Sequence, residues 1–163
     1  MAFDCFMKIK DIEGESTDDK HKNWIEIGSY SFGATQAVGC LASTGGARSG
    51  ERVDLQNLSI TKSLDKSSPK LFAACCKGTH IGEITLELCR NTGDKTTYME
   101  YKLEDVLITS YCPSGSSGGD VPYESLSLNP GKITLTYTQT DHETGKPAGK
   151  VTANWDQTTN KGE

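Results

Sequence analysis

The first residues alternate. Phe3, Cys5, Met7 and Ile9 fall on one parity and Asp4, Lys8 and Lys10 on the other, the two-residue period of a strand with one face turned inward. The polar run from Glu13 to Lys22 has no period and reads as a loop. Alternation resumes from Trp24 to Gln36 with a slip: Ile25 and Ile27 are apolar at odd positions, Tyr30, Phe32 and Ala34 at even ones. Gly28 stands at the change, where a residue without a side chain accommodates a bulge. Beyond it, Ser29, Ser31, Gly33 and Thr35 form a small, polar opposite face.

Leu41 to Gly50 carries three glycines and no period, which predicts a long loop. Val53 to Leu64 reads as one strand, with Leu58, Ile60 and Leu64 opposed by Ser59, Thr61 and Ser63. The spacing then changes. Leu71, Phe72, Cys75 and Cys76 recur three and four apart, Ser67 or Ser68 can cap, Pro69 suits a first turn and Gly78 a left-handed end, so a helix is predicted over about 67–77. Ile84, Leu86 and Leu88 start a further strand, with a hairpin turn at Asn91-Thr92-Gly93-Asp94. From Tyr98 to Tyr111 the apolar parity switches, Met99, Tyr101 and Leu103 being odd and Val106 and Ile108 even, which predicts a bulge near Glu104-Asp105. Residues 113–120 read as a second irregular loop. Leu126 and Leu128, then Ile133, Leu135 and Tyr137, complete the strands around Asn129-Pro130-Gly131. From Gly145 the tail is polar apart from Val151 and Trp155, consistent with one last short strand. Seven or eight strands and one short helix predict a mainly β fold: one domain over 1–163, a compact β-barrel or sandwich of two packed sheets with a single flanking α-helix.

Composition narrows the function. The 163 residues are 34% hydrophobic and carry a net charge of -5, with 17 Lys and Arg against 22 Asp and Glu and no basic run. This argues against nucleic acid as a ligand, since phosphate binding needs a local excess of cations. No window approaches the roughly 20 apolar residues of a membrane helix, and the start lacks the apolar stretch and cleavage pattern of a secretory signal. The six cysteines, at 5, 40, 75, 76, 89 and 112, do not form the paired short spacings of a zinc site and read as buried, reduced, small hydrophobes, with disulfides as the alternative, since an even count decides nothing.

Catalytic patterns are absent from the sequence. His21, His80 and His142 are far apart and flanked by polar residues, with no pairing that suggests a metal or a general base. Gly115-Ser116-Ser117-Gly118-Gly119 lacks the lysine and the helix start of a phosphate loop, Asp18-Asp19 lacks calcium-loop spacing, and the sequon at Asn57 falls within a strand pattern.

Four motifs go further. Phe3-Asp4-Cys5-Phe6-Met7-Lys8-Ile9-Lys10-Asp11-Ile12-Glu13-Gly14-Glu15-Ser16, followed by Asp18 and His21, resembles the start of the haemolysin-coregulated protein (Hcp) family, the inner-tube proteins of bacterial type VI secretion. Ser29-Tyr30-Ser31-Phe32-Gly33 resembles the family's aromatic-Ser-aromatic-Gly strand. Thr61 to Leu71 resembles its strand-to-helix junction, and Ser114 to Gly119, before a strand containing Glu124, its Ser/Gly loop.

The resemblance implies a structural part rather than an enzyme, with no cofactor or metal. Six copies would form a ring with a wide channel, and rings would stack into a tube expelled by a contractile sheath. The implied partners are other copies of the chain, the tip spike protein, the sheath and small secreted effectors that the channel chaperones, with no membrane insertion. The protein would be cytoplasmic before assembly and then secreted by this route without a signal peptide. Ser31 would face the channel and hold cargo, with Ser29 and Thr35 beside it; Tyr30 and Phe32 turning inward would turn Ser31 outward. The loop containing Ser43, Thr44, Gly45, Gly46 and Arg48 would reach neighbouring subunits. Three features depart from the pattern: Asn129-Pro130-Gly131 interrupts a strand often continuous in relatives, the cysteines are numerous, and the length of the 41–50 loop varies among members. Some relatives carry a toxin domain fused at the C-terminus, and with the sequence running only a short way past the barrel none is expected here. The competing reading is a monomeric β-sandwich ligand-binding module, with Trp24 and Trp155 as its candidate loop aromatics.

Overall fold

A computed structural model of the chain describes residues 3–38, 50–91, 95–141 and 144–163, Glu51 by its backbone alone. The first strand, β1 (Phe3–Ile9), pairs antiparallel with β7 (Ile81–Arg90) on one side and with β2 (Ile25–Glu26) on the other. The sheet continues from β7 through β8 (Thr96–Ser114), β9 (Tyr123–Thr140) and β10 (Pro147–Asp156) to β11 (Lys161–Gly162). The first half of β9 also pairs with β6 (Leu58–Ser63), which pairs with β3 (Ser29–Ser31). The slip at Gly28 closes the wall. Ile27 N–H donates to Cys5 O at 2.9 Å and Gly28 N–H to Thr61 O at 2.8 Å, so one short segment joins β1 to β6. Met7, Ile25, Leu58, Ile60, Ile84, Leu86, Leu103, Val106, Leu126 and Leu128 fill the interior, each at most 1% exposed.

The two longest strands serve both walls because they bend together. Leu103 and Val106 are both buried although three apart, since Asp105 between them takes a left-handed φ of 52°. This is the bulge expected near Glu104-Asp105. Opposite it, Pro130 does not interrupt β9, contrary to the expectation of a break at Asn129-Pro130-Gly131; it pairs with Val106 inside the strand. Proline lacks a donor for the ladder, and the carbonyls at this bend are taken from outside the ladder. Gln157 donates its backbone N–H to Gly131 O at 2.9 Å and Nε2 to Pro130 O at 3.2 Å.

Other expectations are corrected. The strand over 53–64 is two, β5 (Gly50–Leu55) and β6, because the chain turns at Gln56-Asn57, where Gln56 N–H bonds Gly33 O at 2.9 Å. Ala34 does not continue the inward face of Tyr30 and Phe32, since β4 (Ala34–Val38) leaves the main sheet and pairs with β5 as a separate two-stranded arm, exposed along all of β4. The tail is a ten-residue β10 plus β11 rather than one short strand, because it pairs along the second half of β9. Residues 113 and 114 belong to β8 rather than to the following loop. The expected turn at 91–94 and His142 lie largely or wholly outside the described residues. Of the cysteines, Cys5 and Cys89 are buried as expected, but Cys76 and Cys112 are exposed, on the outer side of the helix and of β8. No helix of the described residues is long and apolar enough to cross a membrane.

The loop between β1 and β2 is held closely. Gly14 N–H bonds Asn23 O at 2.9 Å, and a Cβ there would lie 2.4 Å from Trp24 O, so only glycine fits. His21, expected in a solvated polar run, is 3% exposed, because the loop folds back and stacks its ring on Phe6 at 4.3 Å. That stack also buries Phe6 on the nominally outer face of β1.

The helix, α1 (Ser68–Lys77), ends on Gly78 at φ 60° as its sequence predicts. Its start differs. Ser67 is the N-cap residue but makes no side-chain cap; its hydroxyl bonds Asp65 instead. Leu71 and Ala74 pack inward, whereas Phe72 is 54% exposed against Tyr111, so the apolar stripe is narrower than its spacing suggests. What fixes the helix is polar. Lys62 and Glu124 are both 0% exposed and pair at 2.5 Å. Lys62 Nζ also donates to Asp65 Oδ1 at 2.8 Å and Ser63 O at 2.9 Å, while Ser68 Oγ and Tyr111 Oη donate to Glu124 at 2.9 and 2.5 Å.

A buried charge left without its partner is strongly destabilising, whereas a hydrophobic pair of similar volume is often neutral. Lys62→Met should therefore cost about 3–5 kcal/mol in urea unfolding at fixed protein concentration. The double variant Lys62→Met/Glu124→Leu should recover most of that loss.

Candidate functional site

The strands β3, β6, β9 and the second half of β8 lie side by side and share one outward face. Inward alternation sets it: Tyr30, then Leu58, Ile60 and Lys62, then Glu124, Leu126 and Leu128 point to the interior, so their neighbours point out. The register aligns those neighbours. Ser29 stands opposite Thr61 and Ser31 opposite Ser59; Ser59 and Thr61 in turn stand opposite Ser127 and Ser125. On β8, Ser110 faces Ser127 and Cys112 faces Ser125. The result is a wall of short hydroxyl side chains four strands wide, ending at Leu107 on one side and Tyr123 on the other.

The wall is locally bonded. Ser29 Oγ and Thr61 Oγ1 are 2.6 Å apart, Thr109 Oγ1 donates to Ser127 O at 3.1 Å, and Asn57 Nδ2 donates to Thr109 Oγ1 at 3.1 Å. Asn129 Nδ2 donates to Asn57 Oδ1 at 2.8 Å. Thr109 sits at a register shift between Ile108 and Ser110, which is why its hydroxyl can reach across the strands. Each hydroxyl both donates and accepts, so the surface offers many hydrogen-bonding groups and no fixed charge. It is suited to broad, weak contact with a polar surface and carries no nucleophile–base arrangement.

Ser29 and Ser31 lie on this wall and are exposed, as the sequence places them. Thr35 does not join them: it is on β4 in the projecting arm, exposed, with its hydroxyl 3.5 Å from Asp54 O. Ser43, Thr44, Gly45, Gly46 and Arg48 lie outside the described residues. Sequence reasoning named two of the wall's residues and missed Ser125 and Ser127, whose membership depends on pairing with β6 over 60 residues away, and Thr109, which joins through the register shift of β8 against β9; the alternation of Ser59, Thr61 and Ser63 was the available signal. The two tryptophans take separate settings. Trp24 meets His21 edge-on at 4.8 Å, and Trp155 packs on the core from β10.

Comparison with known proteins agrees with this architecture. The model of the family described as "Type VI secretion system effector, Hcp" matches residues 6–137. Protein hcp1 of Pseudomonas aeruginosa is 34% identical over 156 residues, covering 95% of both chains. Among solved structures, one titled as a type six secretion system protein superposes with a TM-score of 0.93 at 35% identity over 99% of this chain and 100% of its own. Hcp1 from Salmonella typhimurium superposes at 0.80 with 32% identity, both chains fully covered. Fold and sequence thus agree over almost the whole length, and the chain belongs to the Hcp family of type VI secretion system proteins.

Proposed function

We propose that this protein is the ring-forming subunit of a type VI secretion inner tube, with the hydroxyl wall lining the channel and holding small effectors. The observation that carries this reading is that wall: a four-strand-wide outer face of serine and threonine on strands whose opposite face is apolar apart from the buried Lys62–Glu124 pair. A face that must slide past and briefly retain many cargoes needs polarity without strong, specific bonds. Six copies would close a ring with β3 and β6 facing the bore, Ser31 at its exposed edge. The arm of β4 and β5 supports assembly. It projects from the barrel with all of β4 exposed, including Val38 at 44%, and an isolated two-stranded hairpin is at best marginal in water. A neighbouring subunit would supply what it packs against, and the segment between β4 and β5 in the sequence, with Ser43, Thr44, Gly45, Gly46 and Arg48, would then belong to that interface.

On this reading the rings stack, a sheath drives the stack outward behind a spike, and the protein leaves the cell with its cargo. Its role on this reading is that of a structural part and carrier.

Native mass determination should give a species of six 17.6 kDa chains, about 106 kDa, with annular particles in electron micrographs. A strictly monomeric protein at high concentration would retire the ring. Ser31→Gln should leave that mass unchanged while lowering retention of a co-expressed effector about tenfold or more, a change of about 1.4 kcal/mol in binding. Unchanged retention in an intact ring would remove Ser31 from the carrier surface.

A further inference from the structure

Away from the hydroxyl wall, the densest group of ligand-type side chains lies where the loop between β1 and β2 crosses β1 and β7. Glu87 and Cys89 are two apart on β7 and so project from one face. His21 descends onto them from the loop. Its Nε2 is 2.9 Å from Glu87 Oε2 and 3.7 Å from Cys89 Sγ, and the three ligand atoms lie within 4.8 Å of one another. His21 and Cys89 are buried, while the Glu87 side chain is 18% exposed. The other ring nitrogen, Nδ1, is 2.7 Å from Asp18 Oδ2. Lys95, 2.6 Å from Asp18, and then His21 hold that carboxyl down to about 2, so it stays ionised. Phe6 stacked below and Trp24 edge-on prevent the imidazole from turning.

We propose that His21 Nε2, Glu87 and Cys89 bind a divalent cation of the zinc class. One imidazole, one carboxylate and one thiolate are borderline-soft donors that suit zinc and not magnesium or calcium. Two tetrahedral ligands at the usual zinc distances, about 2.3 Å for sulfur and about 2.0–2.1 Å for nitrogen, stand about 3.6 Å apart, close to the separation of Cys89 Sγ from His21 Nε2. Asp18 behind Nδ1 completes the carboxylate–histidine–metal arrangement that fixes ring orientation in such sites. Thr97 Oγ1, 2.8 Å from Glu87 Oε2 and 3.4 Å from Cys89 Sγ, borders the remaining position, which a water would fill.

Burial pushes the Cys89 thiol up, the hydrogen bond with Thr97 opposes this, and the charge of Glu87 adds to it. The metal takes the thiolate and the free Nε2 lone pair, so any proton held on those atoms leaves to solvent as the ion binds. The bound cation would tie the loop to β7. None of these residues belongs to the hydroxyl wall, so the site stands or falls apart from the carrier function.

The test is cobalt(II) titration of the reduced, metal-free full-length protein, followed by displacement with zinc. One equivalent per chain should bind with a thiolate-to-cobalt charge-transfer band in the near ultraviolet. Cys89→Ser should abolish that band and weaken zinc binding at least tenfold, whereas Cys76→Ser, at an exposed thiol, should change neither. No saturable band in the wild type, or an equal band in Cys89→Ser, would overturn the site. Should Cys89→Ser fail to fold, zinc X-ray absorption on the loaded wild type decides. A shell with one sulfur at about 2.3 Å and nitrogen or oxygen at about 2.0–2.1 Å supports the site, and a shell with no sulfur, or with two, refutes it.

Discussion

The buried pair of Lys62 and Glu124 is the constraint on which the junction of barrel and helix depends. Each is fully enclosed, and each sits on a strand at a position alternation assigns to the core. A charge in that place is tolerable only if every polar atom around it is answered. The answers come from several elements at once: β6 supplies Lys62, β9 Glu124, β8 Tyr111, the turn before α1 Asp65, and the first residue of α1 Ser68. The pair therefore sets the register of β6 against β9, where Lys62 stands directly opposite Glu124, and the point at which the helix begins. Because that register also aligns Ser59 and Thr61 with Ser127 and Ser125, the arrangement of the hydroxyl wall outside follows from a charge pair inside.

The second constraint is the shared bend of β8 and β9. A barrel whose longest strands ran straight would splay, and residues beyond the bend would present the wrong face. Left-handed Asp105 opposite Pro130 and Gly131 resets the parity by one residue, so Leu103 and Val106 both point inward. Gly131 is needed for clearance, since a Cβ there would lie 3.2 Å from Asp105 Cβ. The switch keeps the inward positions of the β8–β9 hairpin, Glu124 apart, apolar and the outward ones mostly polar on both sides of the bend.

These features differ in how far the sequence discloses them. The strands, the helix and the parity switches at Gly28 and Asp105 are local patterns, and they are legible because inward and outward positions alternate in composition. Lys62 looks like one polar residue among others in Thr61-Lys62-Ser63; nothing local says that it is enclosed, because its partner lies 62 residues away. The same holds for His21, whose neighbours Lys20 and Lys22 advertise solvent while its ring stacks on Phe6. Pro130 misleads in the opposite sense: a strand breaker by local rule, it is accommodated because Gln157, from beyond β10, takes the freed carbonyls. Ser31 was legible as outward, but the breadth of the surface around it was not, since that is a property of strand pairing.

Breadth matters for what such a surface can do. A single exchange of a water hydrogen bond for one to a serine is nearly neutral in free energy, so no one residue of the wall could hold a cargo. Repetition changes this. If the barrels close around a bore, the same hydroxyl face recurs on every subunit, and a confined molecule that leaves one set of contacts meets another at high effective concentration. Retention then depends on fit and confinement more than on any specific bond, and release follows when the wall comes apart. A charged or apolar lining would bind some partners more tightly and let others go less readily. On the proposed reading, short hydroxyl side chains on a rigid sheet, with little rotamer freedom to lose, would be a lining matched to a carrier that must accept its cargo and also surrender it.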